Sequence, residues 1–216
     1  MNKKKLSASN LSRILRAKSI STDFISKLKI SYRPYICPFD DVLKEVGMNK
    51  SIFDIGCGSG MFLCLCAEFL SPKKLGGIEI SNKLVSNART ILSGYKVPVT
   101  IKTYDGKFVP DNIKDYDTVT LIDVLHHIPT DLQLNFLVDL IGKLSNGTKL
   151  IIKDIDLDSK FVIFNKLHDK IFSGEESMEL SATSLKEILV EKGYKVKNMY
   201  KKRIFVYPHY FIILEK

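Results

Sequence analysis

No apolar run in this sequence approaches the roughly 20 residues that a membrane-spanning helix needs, because charge interrupts each one first. The Lys3-Lys4-Lys5 start has no apolar stretch behind it, which argues against a secretory signal and leads to the expectation of a cytoplasmic protein. Cysteine is scarce: Cys37, Cys57, Cys64 and Cys66. Cys64 and Cys66 lie two apart in an apolar segment, where helical residues face different sides, and no second pair matches them. That excludes a zinc knuckle and predicts buried, reduced thiols. The four histidines show no ligand spacing such as His at i and i+4 beside a third ligand, so no metal site is expected. Acidic residues are nearly missing from residues 1–33, which hold Asp23 alone against nine Lys or Arg. The rest of the chain is close to neutral, although the whole carries +9. An enzyme acting on nucleic acid usually surrounds its cleft with positive charge. Here the charge sits on an arm, and nucleic acid is the less favoured partner.

What is present suits a globular chain with a sizeable core: 216 residues, 45% hydrophobic and 26% charged. Its organising stretch is Ser51-Ile52-Phe53-Asp54-Ile55-Gly56-Cys57-Gly58-Ser59-Gly60. Ile52 to Ile55 reads as a buried strand, and Met61 to Leu70 as a buried helix. Three glycines at alternate positions join them. Glycine admits positive φ and close backbone approach, and the helix N-terminus adds unpaired N–H groups, so the unit is a nucleotide-binding device. Asp54 narrows the ligand. A carboxylate there repels a pyrophosphate but can hold an ammonium. Glu79 ends the next apolar strand about 25 residues on, where a carboxylate can accept from both hydroxyls of a ribose. An ammonium, a ribose and no phosphate together describe S-adenosylmethionine.

On Asp54 to Gly60 the chain resembles the class I S-adenosylmethionine-dependent methyltransferase family. The resemblance implies cofactor contacts from Asp54, Gly56, Cys57, Gly58, Gly60, Glu79, Ile80 and Asp123. In Tyr104-Asp105-Gly106 it implies that Asp105 accepts from the adenine amine while Gly106 presents a backbone N–H. The other reading of that tripeptide is an ordinary Asp-Gly turn. Alternating strands and helices imply a parallel sheet with right-handed crossovers. The family adds the expected fold: an α/β, Rossmann-like, doubly wound sheet of seven strands in the order 3-2-1-4-5-7-6, with the last strand antiparallel. The expected organisation is a basic helical arm and cap over residues 1–46, then a catalytic domain over 47–216 with a substrate insert around 157–182.

Strand 116–123 runs into Val124-Leu125-His126-His127-Ile128-Pro129, similar to the fourth motif of the family's small-molecule enzymes. The Asn/Asp-Pro-Pro-aromatic and Pro-Cys sequences of base-methylating relatives are absent there. His126 or His127 can serve as a base for the acceptor's proton. Equally, one can pack while the other bonds near the cofactor. A second helix is expected over 21–36, leading into a stiff, irregular connection over 31–39, where Tyr32, Arg33 and Tyr35 either line the acceptor site or pack on the core. Asp154, Phe164 and His168 are further acceptor-binding candidates, His168 being equally readable as a core residue. A closing hairpin is expected around a Tyr207-Pro208-His209 turn.

These readings converge on a methyltransferase that uses S-adenosylmethionine, releases S-adenosylhomocysteine and acts on a small organic or lipid-like acceptor, free or carrier-bound. Methyltransferases of secondary-metabolite and polyene or lipid pathways are similar. The alternatives are an RNA methyltransferase gripping phosphates with its arm, and a non-catalytic cofactor-binding partner subunit. Residues 1–20, with Leu11, Ile14, Leu15 and Lys18 at helical spacing, read either as a terminus packed on the domain or as a helix contacting an anionic membrane or an acidic carrier.

Overall fold

A computed structural model describes residues 6–18, 24–156, 158–159 and 181–216. Seven strands form one sheet in the order β3-β2-β1-β4-β5-β7-β6, the expected order, flanked by helices. The chain divides into two compact units, Met1–Phe108 and Val109–Lys216. The boundary expected near residue 46 falls inside the first. No helix among the described residues is long and apolar enough to cross a membrane.

The first unit begins with α1 (Ala8–Lys18), α2 (Phe24–Ile36) and α3 (Phe39–Val46). Helix α1 buries Leu11, Ile14 and Leu15, and packs on α2 and on α4 (Met61–Phe69). Its apolar side therefore faces its own unit. Ser12 Oγ donates to the Ser31 carbonyl at 2.7 Å, tying α1 to α2. Lys18 Nζ sits 4.8 Å from the centre of the Tyr95 ring and 3.9 Å from Glu68 Oε1, so one charge of the basic arm is engaged within the unit.

The helix expected over 21–36 is α2, which runs through Pro34 to Ile36, so only the residues after it can form the stiff connection expected over 31–39. Proline in the last turn removes only one intrahelical bond. The turn still closes, with the Cys37 N–H on the Arg33 carbonyl at 2.8 Å, and Pro34, Ile36 and Cys37 are all buried.

Strands β1 (Ser51–Ile55), β2 (Lys74–Glu79) and β3 (Val99–Thr103) pair in parallel. Every residue of β1 is buried, as a parallel strand covered on both faces requires. Helix α5 (Asn82–Leu92) starts where Ser81 Oγ accepts from the Leu84 N–H at 3.4 Å. Its Arg89 donates twice to the Ile101 carbonyl, at 3.0 and 2.6 Å, holding β3 to the helix.

In the second unit β4 (Thr118–Ile122) and β5 (Lys149–Ile155) are parallel, and α6 (Thr130–Lys143) runs between them. Helix α7 (Ala182–Glu191) is capped by Ser181, which accepts from the Ser184 N–H at 3.1 Å. Strand β7 (Tyr207–Glu215) lies antiparallel between β5 and β6 (Lys195–Ile204). The hairpin turn is Phe205 and Val206, ahead of the expected Tyr207-Pro208-His209. Phe205 takes the left-handed conformation, φ 53°, while Tyr207, Pro208 and His209 belong to β7. Pro208 is tolerated because it sits at the strand's beginning, past the last ladder pair with β5, Ile155 with His209.

Candidate cofactor and acceptor sites

In the first unit the loop after β1 makes the site. Gly56, Gly58 and Gly60 all take positive φ, 68°, 53° and 75°. They differ in the space around them. A Cβ on Gly60 would stand 3.0 Å from Ala88 Cβ and 3.1 Å from Ala88 Cα, so Gly60 lets the start of α4 press against α5. A Cβ on Gly58 would meet nothing within 4 Å, so the loop is open on that side. Gly77 in β2 is also confined: its Cβ would lie 3.0 Å from Cys57 Cβ and Sγ. Alternate glycines in the sequence do not disclose that division of labour.

Glu79 closes the loop. Its Oε2 accepts from the Gly58 N–H and its Oε1 from the Ser81 N–H, both at 3.0 Å. A carboxylate offers about four acceptor positions, so about two remain for a diol. Ile80 follows and is 67% exposed, an apolar surface beside the carboxylate. Asp54 is buried at the end of β1. Burial, then the charges of Asp54 and Glu79, push the Cys57 thiol far above its ordinary range. The loop is thus an electronegative environment that favours a cation and disfavours a thiolate nucleophile. Cys57 itself is buried against Gly77, inward from the open side of the loop.

Asp105 is fully exposed. Its Oδ1 accepts from the Lys107 N–H at 2.9 Å and the Phe108 N–H at 3.3 Å, and these bonds hold the carboxyl below its usual range. Gly106 takes φ 81°. The segment is the Asp-Gly turn of the plainer reading, with an acceptor oxygen occupied by its own loop. Tyr32 and Tyr35 form a stacked pair on α2, ring centres 6.4 Å apart and both substantially exposed, with Arg33 half-buried between them. A hollow of about 220 Å³ lined by Ser71, Pro72, Tyr95 and Pro98 opens before β2 and β3 begin, the opposite strand end from Glu79.

The second unit carries a polar cluster at the end of β5. His126 Nδ1 lies 2.6 Å from Asp154 Oδ1, and both residues are buried. Asp154 Oδ2 accepts from the Leu125 N–H at 2.9 Å, and Oδ1 also accepts from the Ile155 N–H at 2.8 Å. Expected to touch the acceptor, Asp154 is instead completely enclosed and grips the turn that carries His126. His127 is exposed, its ring centre 4.0 Å from that of His126.

Asp123, expected at the cofactor, takes a left-handed φ of 54° and pairs with Lys153. Lys153 is fully buried and was not among the expected site residues. Its one signal in the sequence is a cation inside the apolar strand Leu150–Ile155. Phe164 and His168, with most of the expected insert, lie outside the described residues. Among the described residues no group of three or more His, Cys, Asp or Glu could hold a metal ion.

The methyltransferase domain family matches residues 53–150, the span from β1 into β5. The fold around them is that of the class I S-adenosylmethionine-dependent methyltransferases, as the glycine and acidic motifs implied. A SAM-dependent methyltransferase from Aquifex aeolicus is similar at 18% identity and a TM-score of 0.65, over 88% of this chain and 95% of that one. Magnesium protoporphyrin IX methyltransferase from Synechocystis PCC 6803, solved with bound SAH, is similar at 20% identity and a TM-score of 0.68, over 91% and 89%. The same fold also carries the 4+2 cyclase SpnF, at 12% identity and a TM-score of 0.63, over 82% and 79%. No curated protein matches the sequence significantly.

Proposed function

We propose that this methyltransferase domain binds S-adenosylmethionine through its first unit and methylates a small organic or lipid-like acceptor. The observation that carries the reading is Glu79 bonded across to Gly58 in a loop of three left-handed glycines, with acceptor capacity left for a ribose. Asp54 would hold the ammonium, Ile80 would cover the purine, and the open side of Gly58 would admit the ligand's close approach. When bound, S-adenosylmethionine supplies an electrophilic methyl group on a sulfonium. The chain's own task is then to orient an acceptor, exclude water and remove a proton where the acceptor carries one.

A small acceptor accords with the near-neutral charge beyond residue 33. The basic arm is the proposed contact with an anionic membrane or an acidic carrier protein. It would act through its exposed cations, because Leu11, Ile14 and Leu15 are already buried. The fold alone does not specify methyl transfer, since a cyclase shares it. The test is therefore made on the ligand.

Calorimetry with S-adenosylmethionine and S-adenosylhomocysteine should show binding of both, and Glu79→Ala or Asp54→Ala should abolish it with the circular dichroism spectrum unchanged. No heat from either ligand would sink the reading. Methyl-labelled S-adenosylmethionine incubated with the small-molecule and lipid fractions of a cell extract should then label a discrete product.

A further inference from the structure

Helices α1 and α2 pack on each other in the first unit and are tied where Ser12 Oγ donates to the Ser31 carbonyl. Helix α1 turns its apolar side inward, on Leu11, Ile14 and Leu15, and leaves Arg13 and Arg16 exposed one helical turn apart. Helix α2 has apolar residues on two sides. It buries Ile30, Pro34 and Ile36, yet Leu28, Tyr32 and Tyr35 are exposed. Positions i, i+4 and i+7 fall on one face of a helix, so these three form a second, outward apolar stripe. Its two rings are stacked, with centres 6.4 Å apart. Single exposed apolar side chains need no explanation, whereas a continuous stripe marks a surface for a partner.

The charge around the stripe selects that partner. Residues 1–33 hold nine Lys or Arg against Asp23 alone, and α2 contains Lys27, Lys29 and Arg33 with no acid. A second copy of this chain would bring like charges together there, which disfavours self-association through this face. An acidic polypeptide answers the cations alone. An anionic bilayer answers both features, because its surface potential attracts cations and its headgroup boundary takes up apolar side chains. Tyrosine suits that boundary, with an apolar ring and a hydroxyl that stays wet.

We propose that the exposed residues of this helix pair, Leu28, Tyr32 and Tyr35 together with Arg13 and Arg16, are a docking surface for an anionic lipid bilayer. This contact deepens the reading of the basic arm given above, on which it rests, and is independent of the cofactor site. The cations draw the helix pair to the surface, and the stripe enters the interface, which cations cannot do.

The test uses the full chain. It contains no tryptophan, so Tyr32→Trp reports on the stripe alone. With vesicles of phosphatidylcholine and phosphatidylglycerol its emission should shift to the blue, and brominated lipid should quench it. Vesicles of phosphatidylcholine alone should do neither. In vesicle sedimentation, Leu28→Ser combined with Tyr32→Ser and Tyr35→Ser should weaken binding at least about tenfold and keep its salt dependence. Arg13→Gln combined with Arg16→Gln should weaken it by about 10- to 30-fold and reduce the salt dependence. Circular dichroism first establishes that each variant is folded; if the triple change unfolds the chain, the tryptophan probe decides alone. A tryptophan that stays in water while the chain sediments with anionic vesicles overturns the stripe, as does a folded triple variant that binds like the parent. No sedimentation with anionic vesicles overturns the membrane contact, and retention on polyglutamate in that case identifies an acidic protein as the partner. Binding of S-adenosylhomocysteine is measured separately on the same chain, so each of these failures leaves the methyltransferase reading standing.

Discussion

Replacing Gly60 by alanine, compared with the same change at Gly58, separates helix packing from the proposed ligand approach in the glycine loop. Both residues sit in the left-handed region, φ 75° and 53°, where a side chain costs about 1–2 kcal/mol. Only Gly60 is also crowded. Its new Cβ would stand 3.0 Å from Ala88 Cβ and 3.1 Å from Ala88 Cα, and the latter is backbone of α5 that cannot swing aside. Overpacking of that kind adds roughly 1–3 kcal/mol. Gly60→Ala should therefore cost roughly 2–5 kcal/mol in all, a large share of the about 5–15 kcal/mol that holds a typical domain together. Gly58→Ala should cost only the conformational part, because its Cβ enters open space.

The assay is urea unfolding followed by circular dichroism, with calorimetry for S-adenosylhomocysteine. Gly60→Ala should unfold at distinctly lower urea than Gly58→Ala. Gly58→Ala should fold well yet bind the ligand at least about tenfold more weakly, since it fills the side where the ligand's approach is proposed. Equal midpoints for the two variants would refute the steric argument. A Gly58→Ala chain that binds normally would refute the placement of the ligand.

Three further outcomes are expected. Lys153→Met should cost about 3–5 kcal/mol because it leaves Asp123 without its buried cation, and adding Asp123→Asn should recover most of that loss in a double-mutant cycle; a cost under about 1 kcal/mol for the single change would mean the pair does not brace the turn. All four cysteines are buried, and burial pushes the thiols of Cys57 and Cys66 well up, so a thiol reagent at pH 8 should modify none in the native chain and four after denaturation; rapid native labelling of Cys57 would contradict the loop's geometry. The Lys201 hydrogen bond, at 2.8 Å, holds the Asp158 carboxyl below its ordinary value of 3.8, so its stabilisation is present above that pH and is lost as pH falls below it. Solvent screening keeps this contribution within about 1 kcal/mol, and Lys201→Gln should lower stability near neutral pH by up to that amount and leave it unchanged below the carboxylate range, which flattens the acid limb of the stability curve.

The sequence by itself determined the alternation of strands and helices, the glycine loop and the acidic residue that closes it, while the sheet order came only with the family resemblance. Those features are local or periodic: a buried apolar run, glycines at fixed intervals, and a carboxylate at the next strand end, all written within about 30 residues. The tertiary structure decided what depends on residues far apart in the chain. Lys153 became a buried ion pair with Asp123 because β5 brings it to the loop after β4, 30 positions earlier. Asp154 passed from acceptor contact to the carboxylate that orients His126 for the same reason, and two adjacent histidines that composition could not tell apart became one held and one exposed. Pro208 was misread as a turn residue because a proline's cost depends on which neighbour's hydrogen bond it forfeits, and that neighbour is known only once the sheet has formed.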